Sequence, residues 1–155
     1  MSTANRFRFR AWSKHSKEML QDMNDSATPE LWFDGSLHLE YDCTDVTDDL
    51  VLMQSTGLLD ANGVEIFEGD VLAFDYGEQG KDRHEYTGVI VYRDGGFFCK
   101  NNAHGFHLSE IMGDNSVRWS ICNGMTSPFY YSCENIRAIG NIHENPELIQ
   151  KGGAE

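Results

Sequence analysis

From residue 18 to residue 80 the chain has no Lys or Arg, although the same stretch holds sixteen Asp and Glu residues. The shortage of positive charge runs through the whole protein: 12 Lys and Arg against 25 Asp and Glu leave a formal charge of −13 over 155 residues. That balance speaks against a general nucleic-acid binder, which needs a basic face to neutralise phosphates. No run approaches the ~20 apolar residues needed to cross a bilayer. The longest uncharged stretch, Trp119–Cys133, is broken by Ser, Asn, Gly and Pro128. Arg6, Arg8 and Arg10 are not followed by the apolar core of a signal peptide. The expectation is a soluble, cytoplasmic protein. Prolines number three and cysteines four, and Cys43, Cys99, Cys122 and Cys133 form no Cys-x-x-Cys pair. Reduced thiols acting as small hydrophobes fit this better than disulfides.

Chemical motifs are equally scarce. The sequence has no Gly-x-Ser-x-Gly elbow, no Walker loop, no His-Glu-x-x-His and no Gly-x-Gly-x-x-Gly. His104 and His107 form the one tight histidine pair, but zinc sites need two such pairs on defined turns. Asp42, Asp45, Asp48 and Asp49 lack the order of a calcium loop. Asp60-Ala61-Asn62-Gly63 looks like a cation loop, yet a hairpin turn explains the Asn-Gly pair on backbone grounds alone. The sequence therefore points to no cofactor, no metal and no catalytic set.

What is present is β pattern. Forty per cent of residues are hydrophobic and 12% aromatic, which is too rich for disorder. Arg6-Phe7-Arg8-Phe9-Arg10-Ala11-Trp12 alternates, predicting a strand with arginines on one face and Phe7, Phe9 and Ala11 on the other. Leu37–Tyr41, Leu50–Gln54, Val71–Tyr76, Tyr86–Arg93, Phe97–Lys100, Val117–Cys122 and Ile136–Ile142 read as further strands. Asn62-Gly63 predicts a type I′ hairpin turn, and Asp94-Gly95-Gly96 a second turn. Ser109–Met112 could form one turn of helix, and Lys17–Met23 suits either a strand or a short helix. Asn145-Pro146-Glu147 opens a short terminal helix.

Charge divides unevenly along the chain: +5 over residues 1–17, −16 over 18–80 and −2 over 81–155, summing to −13. An acidic segment without internal cations must stay solvated or find cations elsewhere. The nearest are on the basic N-terminal segment. Arg6, Arg8 and Arg10 on one side, and Asp42, Asp45, Asp48 and Asp49 on the other, are thus candidate partner-binding residues, within one subunit or between two. The expected architecture is mainly β: an N-terminal β segment over 1–48, then a small barrel-like, SH3-like unit over 49–155 with a short C-terminal helix. Long alternating strands with open edges suggest a homo-oligomer.

Two blocks carry a family resemblance. They are Met53-Gln54-Ser55-Thr56-Gly57-Leu58 with Asp60, Asn62-Gly63 and Glu65–Val71, and Ile139-Gly140-Asn141-Ile142-His143-Glu144-Asn145-Pro146-Glu147-Leu148. With Arg10-Ala11-Trp12, Gly88-Val89 and Gly95-Gly96-Phe97, they resemble the YopX-like proteins encoded by phages and prophages. The resemblance covers about half the chain and leaves out residues 20–48 and 99–134. It implies a β-rich fold whose members tend to assemble, and it brings no activity or substrate. The 99–134 segment, with Trp119, Phe129, Tyr130 and Tyr131, departs from the pattern and could carry this member's own partner surface. The function expected is that of a non-enzymatic phage accessory protein acting through protein partners, for which the acidic 18–80 surface would meet a basic one. Alternatives are a carboxylate mimic of nucleic acid aimed at a host DNA-binding or defence protein, and a small-ligand binder or enzyme with a site between subunits.

Overall fold

The structure is a computed structural model that describes residues 8–21, 28–31, 37–41, 44–78, 82–102, 105–113, 117–122 and 125–150. It is mainly β and resolves into two compact units, Met1–Leu58 and Leu59–Glu155.

In the first unit, β1 (Phe9–Ser13) is a central strand. It pairs antiparallel with β2 (Glu18–Leu20) on one side and with β6 (Leu50–Leu59) on the other. Being central changes its burial. Alternation predicts one wet face, but Arg10, Ala11, Trp12 and Ser13 are all buried. Ala11 and Leu50 form the centre of a small core, with Phe9, Leu20, Val46 and Leu52 packed against them. The ambiguous Lys17–Met23 segment supplies a strand, and Lys17 takes the positive φ (59°) of the turn that leads into it. A separate three-stranded sheet runs β3 (Thr28–Leu31), β4 (Leu37–Tyr41), β5 (Thr44–Asp45). Because β6 pairs with β1, Leu50–Leu58 belongs to this first unit.

The second unit begins with a hairpin turn and β7 (Glu65–Phe67). Its main body is a six-stranded antiparallel sheet that curls into a half-barrel, in the order β11-β10-β9-β8-β13-β12. These strands are β8 (Asp70–Glu78), β9 (His84–Arg93), β10 (Gly96–Lys100), β11 (Gly105–His107), β12 (Val117–Cys122) and β13 (Met125–Asn141). Helix α1 (Leu108–Met112) follows β11 and buries Leu108 and Ile111; α2 (Glu147–Gln150) follows β13.

The turn at Asn62-Gly63 differs in type from the one expected. Asn62 does not adopt positive φ, while Gly63 does (80°). Gly63 N–H donates to the Asp60 carbonyl and Asp60 N–H to the Val64 carbonyl. This is a three-residue loop, a type I turn closed by a left-handed glycine, in place of type I′. The two-residue turn with positive φ at both positions is Asp94-Gly95 (51° and 80°), between the paired Arg93 and Gly96.

Strand β13 is far longer than Ile136–Ile142. It runs antiparallel to β8 with irregularities between Glu134 and Arg137 and between Ala138 and Gly140. Asn135 takes positive φ (54°) at the first of these. Such bulges let a long strand bend, as a sheet that curls requires.

Candidate functional site

The family-like residues fall together in the second unit, and each has a traceable task. Asp60 is buried and holds three backbone amides. Its Oδ1 accepts from Asn62 N (2.8 Å) and Val64 N (2.9 Å), and its Oδ2 accepts from Ala138 N (3.0 Å). One carboxylate thus closes its own hairpin and ties it to β13 at the bulge, where Ala61 N also donates to the Ile136 carbonyl. Burial alone would raise the Asp60 pKa. The amides of Ala138, Val64 and Asn62 outweigh it and hold the carboxyl below its ordinary value.

Asp70, also buried, accepts from Phe67 N (2.8 Å) across the tight lead-in to β8. Within that turn Gly69 N donates to the Ile90 carbonyl, and its own carbonyl accepts from Ile142 N. Asn141 Oδ1 then accepts from His143 N and Glu144 N, which shapes the turn leading to α2. Gly140 is required for space, since a Cβ there would run into the Asn145 side chain and lie 2.8 Å from Leu148 Cδ1. Gly88 has the same kind of constraint. A Cβ would stand 2.8 Å from Tyr86 Cε1 and 2.9 Å from Cys99 Sγ. Both hydrogen-bonding blocks of the sequence are therefore devices that fasten turns to the sheet.

On one face of the half-barrel, the register aligns Phe74 with Tyr86 and Tyr76 with His84. Phe106 joins from β11, with ring centroids 4.9 Å from Tyr86 and 6.0 Å from both Phe74 and Tyr76. The phenol of Tyr86 accepts from Asn101 N (3.1 Å), and burial pushes its pKa up. Cys99 is fully buried, and burial, with a smaller contribution from Cys133, pushes its thiol to about 12. A thiol held protonated in this way is a poor nucleophile. Neither Cys99 nor Cys133 is in a disulfide.

On the opposite face lies a group of rings and charges near the Asp94-Gly95 turn. The Arg93 guanidinium sits over the Phe98 ring (4.8 Å), and the His107 ring meets Phe98 edge-on at 4.8 Å. His107 is the N-cap of α1: its Nδ1 accepts from Ser109 N, and its backbone N–H donates to Glu110 in a capping box. Nearby, Tyr92 stands half exposed against Phe97. By register Tyr92 and Phe97 share the face of Tyr86, whereas Arg93, Phe98 and His107 lie on the other.

The candidate partner residues from the sequence lie in the first unit. Asp49 accepts from Ser13 Oγ (2.8 Å) and His15 N (2.7 Å), and its carbonyl accepts from Lys14 N. Lys14 Nζ donates to the Asp48 carbonyl (2.8 Å), and Asp45 Oδ1 accepts from Thr47 N (2.9 Å). The β1–β2 turn is thereby joined to the acidic loop before β6. Arg8 is exposed and Arg10 buried, while Arg6 and Asp42 lie outside the described residues, as do Phe7, Cys43 and His104. Among the described residues no group of three or more His, Cys, Asp or Glu could hold a metal ion. No described helix is long and apolar enough to cross a membrane.

The roles of Asp60 and Asp70 could have been found from one signal, an Asp close to a Gly at a strand end, three residues before Gly63 in one case and directly after Gly69 in the other. The Asp60–Ala138 bond has no counterpart in local sequence.

Known proteins are consistent with this picture. A crystal structure of protein EF1440 from Enterococcus faecalis is similar to the chain at 30% identity. The match covers 92% of this chain and 97% of that one, with a TM-score of 0.59. No curated protein matches. Residues 8–150 match the family described as YopX protein. The chain belongs to the YopX family.

Proposed function

We propose that the chain is an accessory protein of a phage or prophage that acts in the cytoplasm of the bacterial host by binding protein, as a homo-oligomer and without catalysing a reaction. The observation that carries this reading is where the polar groups of the family-like blocks go. Asp60, Asp70 and Asn141 are committed to backbone amides of the same chain, so these blocks present structure and not a reactive constellation. The burial of Cys99, which raises its thiol pKa further and leaves it a poor nucleophile, supports the same reading.

The excess of carboxylates over 18–80 suits a basic protein partner, for which opposite charge raises the association rate. Nucleic-acid mimicry by the same carboxylates is less well supported. Asp49, Asp60 and Asp70 bind the chain's own donors and do not stand in an outward row.

The test is affinity capture from host lysate on the immobilised full chain, at about 50 mM and about 500 mM salt, where screening differs strongly. A basic protein retained at low salt and released at high salt is expected. Retention of nothing, or only of partners indifferent to salt, would refute the electrostatic reading.

A further inference from the structure

The hairpin tip that opens the second unit carries a peptide bond able to rearrange. Asn62 and Gly63 are exposed, and nothing lies within 4 Å of where a Cβ on Gly63 would stand. When glycine follows asparagine, no Cβ obstructs the approach of its backbone nitrogen to the asparagine side chain. In the reaction this allows, Gly63 N bonds to Asn62 Cγ and gives up its proton, and the side-chain nitrogen leaves with a proton as ammonia. Water then opens the five-membered imide at either carbonyl, leaving an aspartyl or isoaspartyl residue at position 62. One water is consumed, one ammonia is released, and nothing is oxidised or reduced.

The folded hairpin opposes each part of that step. The loop is a type I turn, in whose second central position ψ is about 0°. Gly63 N is then eclipsed with the Asn62 backbone nitrogen, whereas the ring needs it beside Asn62 Cβ. Closing the ring means turning the chain about the Asn62 Cα–C bond. Asp60 resists that turn from both ends, because its Oδ1 accepts from Asn62 N (2.8 Å) on one side of the bond and from Val64 N (2.9 Å) on the other. The proton that must leave Gly63 N is meanwhile donated to the Asp60 carbonyl at 3.0 Å. The negative carboxylate also disfavours the amide anion that attacks. Asp60 is buried, and its Oδ2 accepts from Ala138 N, so the clamp is anchored in the sheet and not in the loop alone.

We propose that Asn62-Gly63 is a latent deamidation site, kept closed in the folded chain by Asp60 and exposed to reaction when the hairpin lets go of that carboxylate. The isoaspartyl product carries the main chain through its Cβ and lengthens the loop by one atom. The amides of residues 62 and 64 then no longer converge on one oxygen, and the hairpin cannot close as before. Deamidation at position 62 thus records local opening of the hairpin.

Peptide mass spectrometry on the full chain held at about pH 8, folded and in urea, reads the rate at Asn62, which follows the open fraction. The folded chain should deamidate there at least about tenfold more slowly than the chain in urea, a comparison that needs no variant. Asn123-Gly124, the other such pair in the sequence, serves as the reference rate in urea. Asp60→Ala should raise the rate under folding conditions at least about tenfold. Gly88→Ala weakens the same unit through packing on Tyr86 and Cys99 but leaves the Asp60 hydrogen bonds in place, and should change the rate less than about twofold. Equal rates folded and in urea would overturn the proposal. So would an Asp60→Ala chain as slow as the native one, or a Gly88→Ala chain as fast as Asp60→Ala, since the fold at large and not Asp60 would then guard the site.

Discussion

Removing the Asp60 carboxylate should be among the most costly polar substitutions in the second unit. Its two oxygens accept three backbone N–H groups, from Asn62, Val64 and Ala138, at 2.8–3.0 Å in a site only 7% exposed. A hydrogen bond to a charged group is worth about 1.5–3 kcal/mol net, and a buried donor left without an acceptor costs about 1–3 kcal/mol. Asp60→Ala releases all three amides. The hairpin amides can recover some water, so the expected loss is about 3–5 kcal/mol. Asp60→Asn keeps the shape and one acceptor. Its oxygen can serve the Asn62 and Val64 amides, but its NH2 then faces the Ala138 N–H, for an expected loss of about 1–3 kcal/mol.

Urea unfolding followed by tryptophan fluorescence measures both losses. The pH dependence supplies a second signature. The folded carboxyl titrates below the unfolded one, so its stabilisation is fully present above about pH 5 and is lost as pH falls through the folded pKa. Stability of the Asn variant should therefore fall less steeply on acidification than that of the native chain. A loss under about 1 kcal/mol for Asp60→Ala, with unchanged acid sensitivity, would refute the fastening role assigned to Asp60.

Two further outcomes follow from packing. Gly88→Ala places a methyl 2.8 Å from Tyr86 Cε1 and 2.9 Å from Cys99 Sγ, and should cost about 1–3 kcal/mol in the same unfolding assay. In the native protein at about pH 8, Cys99 should resist iodoacetamide while the half-buried Cys133 is modified first, as peptide mass spectrometry would show; equal labelling of the two would contradict the burial of Cys99.

Strand existence was readable because it depends on local alternation. Leu37–Tyr41 and Val117–Cys122 coincide with β4 and β12, and Tyr86–Arg93 lies within β9. Burial was less readable, because it depends on neighbours. The arginine face of β1 looks wet in isolation, but Arg10 is buried once β2 and β6 flank the strand. Turn type failed for a related reason. Asn-Gly and Asp-Gly both permit type I′, and the carboxylate of Asp60, which captures the Asn62 and Val64 amides, selects the longer loop at the first. The length of β13 was hidden by Pro128 and by the Ser- and Gly-containing stretch around it, which have the composition of a loop.

Among the described residues, several of the sixteen carboxylates of residues 18–80 have a structural answer that counting charges does not suggest. Asp49, Asp60, Asp70 and Glu68 accept from backbone amides, and Asp75 from the side chain of Asn135. The ion pairs of Arg83 with Glu134 and Arg137 with Glu85 lie wholly beyond residue 80 and involve none of these carboxylates. An amide donor carries no net charge, so a carboxylate fastened this way is satisfied locally while its negative charge still contributes to the field outside. The acidic segment can therefore be well anchored and strongly negative together.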